Sequence, residues 1–235
     1  MECCEQQTLE TFIESDKLKK DDNLFYKLLT QIVEAFTYIH DRGLIHRDIK
    51  PANIFLDFKQ DIKLGDFGLA TTNGLLSEKE AETQENEDAG AGTPLYMSPE
   101  QQRGDKCTCA ADMYSLGIVI FEMVYGRFNS LHERMQKIRD MRESIKFPAD
   151  FDKRAGSLAT VSKDLIRKLL HHDPTQRPTS KEVYLDLQDK LYEEMMDANE
   201  YTKIIKFLFS DKNVFSGSTS TISLKGTPAS QAFHL

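Results

Sequence analysis

Three short motifs, in a fixed order along the chain, contain the residue types that a phosphoryl-transfer reaction needs. The first is HRDIKPAN at 46–53, the second is Asp66-Phe67-Gly68, and the third is GTPLYMSPE at 92–100. Phosphoryl transfer requires a base beside the acceptor hydroxyl, positive charge on the phosphates, and oxygen ligands for metal ions. Together the motifs contain each of these kinds of group.

The side chains of the first two motifs suit these tasks individually. We expect Asp48 to accept the proton of the acceptor hydroxyl, and Lys50 to reach the transferring phosphate and offset its charge. Asn53 offers an amide oxygen and Asp66 a carboxylate, and such hard oxygen ligands suit Mg²⁺. The ordinary alternative makes Asp48 and Asp66 turn or capping residues, but it leaves the joint spacing of the motifs unexplained.

The elements that must position the first two motifs follow from the spacing of apolar residues. Apolar residues at helical spacing over 24–39 predict a helix, which Gly43 would end. Residues 53–56 and 62–64 predict two short strands joined by a polar turn. The stretch 70–92, which includes a strongly acidic run, is predicted to be a long loop.

Helices are predicted to follow the third motif. A mostly apolar run over 110–125 predicts a buried helix, because it is long for a strand and contains no proline. Amphipathic patterns predict further helices at about 130–143, 162–171 and 180–196, and Ser180 with Glu182 suits the start of the last one. The expected fold class is therefore mainly α, with one small β hairpin.

Composition excludes several classes of protein. Of the 235 residues, 40% are hydrophobic and 29% are charged, which is typical of a folded domain. The 30 Lys and Arg and 38 Asp and Glu give a net charge of −8, which disfavours general nucleic-acid binding. The longest apolar stretch, 116–121, is far shorter than the roughly 20 residues of a membrane-spanning helix. We see no signal peptide and no C-x-x-C pair, so reduced thiols and a cytoplasmic location are expected.

The three motifs resemble the catalytic loop, the metal-binding turn and the end of the activation segment of protein kinases. The resemblance implies a kinase C-terminal lobe over 1–196, with the activation segment at 66–100 and a partly disordered extension over 197–235. It places the small β hairpin at the catalytic and metal-binding segments. It also implies ATP and Mg²⁺ as cofactors.

The same resemblance implies an adenine site at the start of the chain. Met1 would stand at the gatekeeper position, and the backbone of Glu2 and Cys4 would form hydrogen bonds with adenine. Phe55 would form the floor of the pocket, although the residue taken alone is equally consistent with a place in the core.

Structural and regulatory positions are implied as well. Glu100 would pair with Arg177, and Asp112 would hold the backbone of the catalytic loop from the buried helix. Arg47 would meet an anion of the activation loop, and Thr93 is an autophosphorylation candidate. Each of these charged residues, taken alone, is also consistent with an ordinary surface charge.

The acidic run offers one candidate for that anion. Six acids and one lysine lie between Glu78 and Asp88. Asp88 or a neighbour would partly replace a phosphate opposite Arg47, and loss of activity in Asp88→Ala would test this. The alternative is a solvated, mobile loop.

Several longer runs are similar to one group of kinases. These are IHRDIKPANIFLD, LGDFGLA and YMSPEQ, which resemble the kinases of the alpha subunit of translation initiation factor 2. KFPADFD and LLHHDPTQRPT look most like the general-control group, which senses amino-acid starvation. This resemblance implies a protein serine acceptor on that subunit, docking through the helix near 130–143, and a kinase homodimer as a candidate partner. It implies that this segment itself binds neither a membrane nor a nucleic acid.

The kinase hinge would fall at Met1, so the N-terminal lobe is expected to be absent from this chain. The sequence contains no G-x-G-x-x-G run, and we expect little or no transfer by the chain alone because half the nucleotide cleft is missing. Two functions follow: a catalytic lobe of a serine/threonine kinase in stress control of translation, or an inactive lobe that acts as a docking or inhibitory module. Asp48→Asn would distinguish them, since it removes catalysis and leaves docking intact.

Overall fold

The computed structural model describes residues 7–18, 21–72 and 93–195, arranged as short strands followed mainly by helices. In chain order the elements are β1 (Gln7–Thr8), α1 (Leu9–Glu14), α2 (Asp22–His40), β2 (Leu44–Ile45), β3 (Ile54–Leu56), β4 (Ile62–Leu64), β5 (Thr71–Thr72), α3 (Pro99–Gln102), α4 (Ala110–Tyr125), α5 (Leu131–Ser144), α6 (Phe151–Ala155), α7 (Ala159–Leu169) and α8 (Ser180–Met195). The chain divides into two compact units, 1–191 and 192–235. The description below concerns the first unit.

The predicted helix over 24–39 is confirmed as α2. Its first turn is capped by Asp21, whose carboxylate accepts a hydrogen bond from the backbone N–H of Leu24 at 3.1 Å. Eight of its residues are buried in the core. Gly43 follows the helix with a φ of +70°, and its N–H donates to the carbonyl of His40 at 2.9 Å. A glycine is favoured there because a side chain would strain that left-handed backbone.

Two small sheets hold the ends of the loops that contain the first two motifs. Strands β1, β3 and β4 form an antiparallel sheet in that order, and β2 pairs antiparallel with β5. The loop 46–53 therefore runs from the end of β2 to the start of β3. Residues 65–70 run from the end of β4 to the start of β5. Both chemistry-bearing loops are consequently fixed at each end by strand pairing.

The buried helix predicted at 110–125 is confirmed as α4, which forms the centre of the helical layer. Every residue from Ala111 to Tyr125 is buried, and α6 and α7 pack against it. Gly117 permits the closest approach, since a Cβ there would lie 3.0 Å from side-chain atoms of Leu169 and Leu170. Burial on all sides explains why the apolar run shows no amphipathic period.

The sequence prediction differs from the structure mainly in the short elements. The expected strand pair is confirmed as β3 and β4, but β1 adds a third strand, and β2 with β5 forms a second sheet. Helices α1, α3 and α6 were not predicted, and α7 begins at 159 rather than 162. Elements of two to six residues are too short to display a periodicity that distinguishes them from loops.

α8 begins at Ser180, as predicted, but the residue before it provides the cap. Thr179, not Ser180, makes the capping interactions: its hydroxyl accepts from the N–H of Glu182 at 3.2 Å, and the Glu182 carboxylate accepts from the N–H of Thr179 at 2.8 Å. Ser180 instead lies buried beside His40.

No helix in the described part of the chain combines the length and the apolar character needed to cross a bilayer.

Candidate active site

The loop 46–53 brings Lys50 and Asn53 of the first motif onto the carboxylate of Asp48. Asp48 is buried, and its Oδ2 accepts hydrogen bonds from Nζ of Lys50 and from Nδ2 of Asn53, each at 2.8 Å. The same Asn53 amide also donates to the carbonyl oxygen of Asp48 at 2.9 Å. The residues expected to supply the base, the cation and a metal ligand therefore lie in direct contact.

A buried aspartate accepts hydrogen bonds from the backbone of this loop. Asp112, near the start of α4, is 1% exposed. Its two carboxylate oxygens accept hydrogen bonds from the N–H groups of His46 and Arg47, both at 2.8 Å, and its Oδ2 also lies 2.9 Å from Nε2 of His40. Arg47 has a φ of +67°, a conformation that is rare for a residue with a side chain. The Asp112 bonds stabilise that turn, which aims the following Asp48.

The second motif is tied to the first through His46 and Gly65. The buried His46 ring lies 2.9 Å from the carbonyl of Gly65 through Nε2, and its centroid lies 4.7 Å from that of the Phe67 ring. The Gly65 N–H donates to the carbonyl of Asn53 at 3.0 Å. Asp66 is the residue that follows this hydrogen bond along the chain. Its φ is +58°, and its exposed carboxylate accepts from the N–H of Gly68 at 3.4 Å.

The donor set at this place suits Mg²⁺ shared with phosphate. The Asn53 NH₂ group donates both of the hydrogen bonds described above, so its amide oxygen is the atom that would hold a cation, together with the Asp66 carboxylate. No cluster of three or more His, Cys, Asp or Glu with metal-binding geometry occurs among the described residues. Magnesium that binds one or two protein oxygens and completes its shell with phosphates and water needs no such cluster.

Of the residues implied for the adenine pocket, Phe55 is the one that lies in the described part of the chain. Its half-buried ring packs over Gly65, where an added Cβ would lie 2.4 Å from Cε2 of the ring. Real side chains do not approach so closely, so the absence of a side chain at position 65 sets the position of the ring. Met1, Glu2 and Cys4 lie outside the described residues.

Glu100 and Arg177 meet as a buried, bidentate ion pair. Nη1 and Nη2 of Arg177 donate to the two carboxylate oxygens of Glu100 at 2.6 and 2.9 Å. Arg177 also donates to three backbone carbonyls, of Ala110, His171 and His172. Burial by itself would raise the pKa of Glu100, but the hydrogen bond and charge of Arg177, together with hydrogen bonds from the backbone and from Ser98, outweigh it and lower that pKa.

The regulatory positions are only partly visible. Nε of Arg47 is buried without a hydrogen-bond partner among the described residues, and its carbonyl accepts from the side chain of Gln101 at 3.0 Å. Thr93 begins a 3₁₀ turn, Thr93–Leu95. The acidic run, with Asp88, lies outside the described residues, so the proposed pairing of Arg47 with an acidic residue stays a prediction.

The structure adds contacts that the sequence reasoning did not predict. His40 joins Asp112 to Ser180, with Nδ1 3.2 Å from the serine hydroxyl. Glu122, buried within α4, accepts hydrogen bonds from Arg134 and from the hydroxyl of Tyr96. The sequence does show a glutamate within a mostly apolar run, and such a residue is buried only with a partner. It does not show which residue that partner is.

Comparisons with known proteins agree with this geometry. The model of the protein kinase domain family matches residues 1–187. The eIF-2-alpha kinase GCN2 of Schizosaccharomyces pombe is 42% identical over 193 residues, and that of Mus musculus is 39% identical over 202 residues; each match covers 78% of this chain. The probable serine/threonine-protein kinase ifkB of Dictyostelium discoideum is 36% identical over 216 residues.

The matched part is a small share of these relatives. It covers 12% of the length of both GCN2 proteins and 16% of ifkB, so their whole-protein activities do not transfer to this chain without further argument. The family model, by contrast, spans most of the chain and includes all three motifs. With Asp48, Lys50 and Asn53 assembled on a loop that Asp112 anchors, this chain belongs to the protein kinase family.

Proposed function

We propose that the chain is the catalytic lobe of a serine/threonine protein kinase that transfers the γ-phosphate of ATP to a serine of the alpha subunit of translation initiation factor 2, in the control of translation under stress. The observation that carries the proposal is the contact of the Asp48 carboxylate with Lys50 and Asn53. The similarity to the GCN2 eIF-2-alpha kinases supports the choice of substrate.

The residues of the loop divide the work of the reaction. Asp48 orients the acceptor hydroxyl and accepts its proton as the phosphoryl group is transferred. Lys50, now on the Asp48 carboxylate, is within reach of a bound phosphate and would offset its charge. ATP supplies the phosphoryl group, and Mg²⁺ held by Asn53 and Asp66 would neutralise the phosphates when bound.

The proposed test is transfer of labelled phosphate from ATP to the purified alpha subunit by the chain joined to the glycine-rich loop and lysine strand of a relative, because the 235 residues alone are expected to transfer little. Asp48→Asn keeps the size of the side chain and removes the base, so transfer should fall at least about a hundredfold. Arg103→Gln, which removes an exposed charge from the same lobe, is the matched control and should transfer at the wild-type rate. Equal rates for the wild type and Asp48→Asn would contradict the assignment of Asp48.

A second candidate function is a docking or inhibitory module without catalysis. The sequence favours it in one respect: none of the 235 residues forms the G-x-G-x-x-G run that covers the phosphates in kinases. Binding of the alpha subunit, measured by calorimetry, should be the same for the wild type and for Asp48→Asn under this alternative. Transfer that depends on Asp48 would eliminate it.

A further inference from the structure

The side chain of Gln101 lies between the third motif and the loop 46–53, and the two ends of its amide make different contacts. Its Oε1 accepts hydrogen bonds from the N–H and the hydroxyl of Ser98, at 2.9 and 3.1 Å. Its Nε2 donates to the carbonyl of Arg47 at 3.0 Å. These partners fix the orientation of the amide, because a backbone N–H can only donate a hydrogen bond and a carbonyl can only accept one.

Only the oxygen of the Gln101 amide takes part in the local structure of α3. Ser98 and Gln101 form a capping box at the start of this helix, in which the Ser98 hydroxyl also accepts from the N–H of Gln101 at 3.4 Å. A capping box needs an acceptor on the Gln101 side chain and leaves the NH₂ group unused. That group instead reaches Arg47, a residue 54 positions away in the sequence, so this contact serves something other than the cap.

The position of α3 is itself fixed, so Gln101 holds Arg47 from a rigid support. Glu100, the residue before Gln101, forms the buried ion pair with Arg177 described above. The capping box holds the first turn of the same helix. Because α3 is anchored in these two ways, the hydrogen bond from Gln101 to Arg47 constrains the catalytic loop.

The bond acts on the peptide group that directly precedes the proposed base. The carbonyl of Arg47 and the N–H of Asp48 belong to one planar unit. Gln101 holds the carbonyl, and the N–H of Asp48 donates to Nδ1 of His46 at 3.4 Å. Arg47 has a φ of +67°, a conformation that persists only where the surroundings hold it. A rotation of this peptide group would redirect the side chain of Asp48.

We propose that Gln101 is a positioning residue, whose NH₂ group fixes the peptide between Arg47 and Asp48 and thereby sets the direction of the Asp48 carboxylate. The inference rests on the proposed function and deepens it, because it makes the geometry of the proposed base depend on the residue that follows the third motif. The contact itself can be tested without phosphate transfer.

The first test measures hydrogen exchange in the 235-residue chain. Gln101→Glu separates the two contacts, since a carboxylate keeps the acceptor of the capping box and loses the donor to Arg47. The amide of Asp48 should exchange about fivefold faster or more, the factor expected for the loss of one ordinary hydrogen bond. The amides of His46 and Arg47, which Asp112 holds, should stay protected, which distinguishes a local change from general destabilisation.

Two further variants assign the cause of faster exchange. Gln101→Met also lacks the donor but introduces no charge, so it should accelerate exchange at Asp48 as well. Gln102→Glu is the matched control: it places the same charge on the same helix and removes an exposed amide that donates to the carbonyl of Pro94, and exchange at Asp48 should not change. Acceleration in only one of the Gln101 variants would trace to the added charge or to the lost cap, and acceleration in neither would show no constraint. Each of these outcomes would overturn the proposal.

The second test measures transfer to the alpha subunit by the chain joined to the glycine-rich loop and lysine strand of a relative. In both Gln101 variants kcat should fall at least about tenfold while KM for ATP and for the alpha subunit stays within about twofold, because the substrates still bind but meet a misdirected base. Gln102→Glu should keep the wild-type kcat. A loss confined to KM, or an unchanged kcat, would overturn the positioning role. Absence of transfer in the wild type as well would contradict the proposed function, and the exchange measurement would still decide whether Gln101 holds Asp48.

Discussion

Glu100 and Arg177 illustrate how a single buried residue depends on its partner. The side chains of both are almost fully buried, at 4% and 0% exposed, and each satisfies the charge of the other. A buried pair of this kind adds little stability over a well-packed apolar pair, but the loss of one partner leaves an uncompensated charge in the interior. The cost of a substitution should therefore depend on whether one or both residues change.

Arg177→Met should lower the free energy of unfolding by about 3–5 kcal/mol, because Glu100 would be left buried without its cation. Urea denaturation measures this directly. Arg103→Met is the matched control, since Arg103 forms an exposed ion pair with Asp105, and its removal should cost less than about 1 kcal/mol. Glu100→Gln/Arg177→Met should recover much of the loss. A double variant no more stable than Arg177→Met would show that the charge is not the cause.

The pH dependence of stability should report the same carboxylate. The pKa of Glu100 lies below its ordinary value of 4.5 in the folded chain, so ionised Glu100 stabilises the folded state above that pH. The advantage of the wild type over Glu100→Gln should therefore be constant near neutrality and shrink as the pH falls below about 4.5 through the folded pKa. Urea midpoints of the two proteins across this range test it. A stability advantage of the wild type that grew as the pH fell would contradict this prediction.

Among the elements, α4 matters to the site chiefly through Asp112. The helix is fixed by burial on all sides, and Asp112 transfers that rigidity to the loop 46–53 through two backbone hydrogen bonds. His40 extends the connection to Ser180 at the start of α8. The loop is thus positioned by three helices that are distant from one another in the sequence.

Asp112→Asn should loosen the catalytic loop specifically. An amide has one acceptor oxygen where the carboxylate has two, so one of the backbone N–H groups of His46 and Arg47 loses its acceptor and the other keeps only a neutral one, at a cost of about 1.5–3 kcal/mol. Hydrogen exchange of these two amides should accelerate. In His40→Ala, where Asp112 keeps both backbone bonds, the two amides should stay protected. Equal protection of the two amides in both variants would show that Asp112 does not order the loop.

The parts of the fold that the sequence predicts are those with long patterns. Helices α2 and α4 span 19 and 16 residues, and their apolar positions suffice to locate them. The strands β2 and β5 have two residues each, and only their pairing across the chain defines them. Tertiary pairing of this kind has no local signature.

In the site as well, residues with a local sequence pattern are predictable and contacts between distant parts of the chain are not. The motifs predict which residues gather at Asp48, because their spacing reflects a shared chemistry. They do not predict that Arg134 reaches Glu122, since the two side chains lie on different helices and either could have pointed to solvent. The contact of Phe55 with Gly65 was equally hidden, because it depends on the register of β3 against β4.

For the molecule as a whole, the 235 residues contain no glycine-rich run that would cover the phosphates of ATP in the proposed reaction. Kinases use a glycine-rich loop and a lysine for this purpose, and positioning of this kind accounts for roughly 7–11 kcal/mol of a barrier. We expect the 235-residue chain by itself to transfer phosphate at most very slowly. Joining it to the glycine-rich loop and lysine strand of a relative should raise the rate by several orders of magnitude, measured with the alpha subunit as acceptor. Full activity of the chain alone would contradict this.

The contact between Phe55 and Gly65 has a consequence for how the pocket can diverge in evolution. A side chain at position 65 would overlap the phenyl ring, which costs about 1–3 kcal/mol in a packed site. Replacement of Phe55 by a smaller residue meets no such barrier. Lineages that acquire a side chain at 65 should therefore have changed position 55 first, and the two positions should vary together among descendants of this sequence in that historical order.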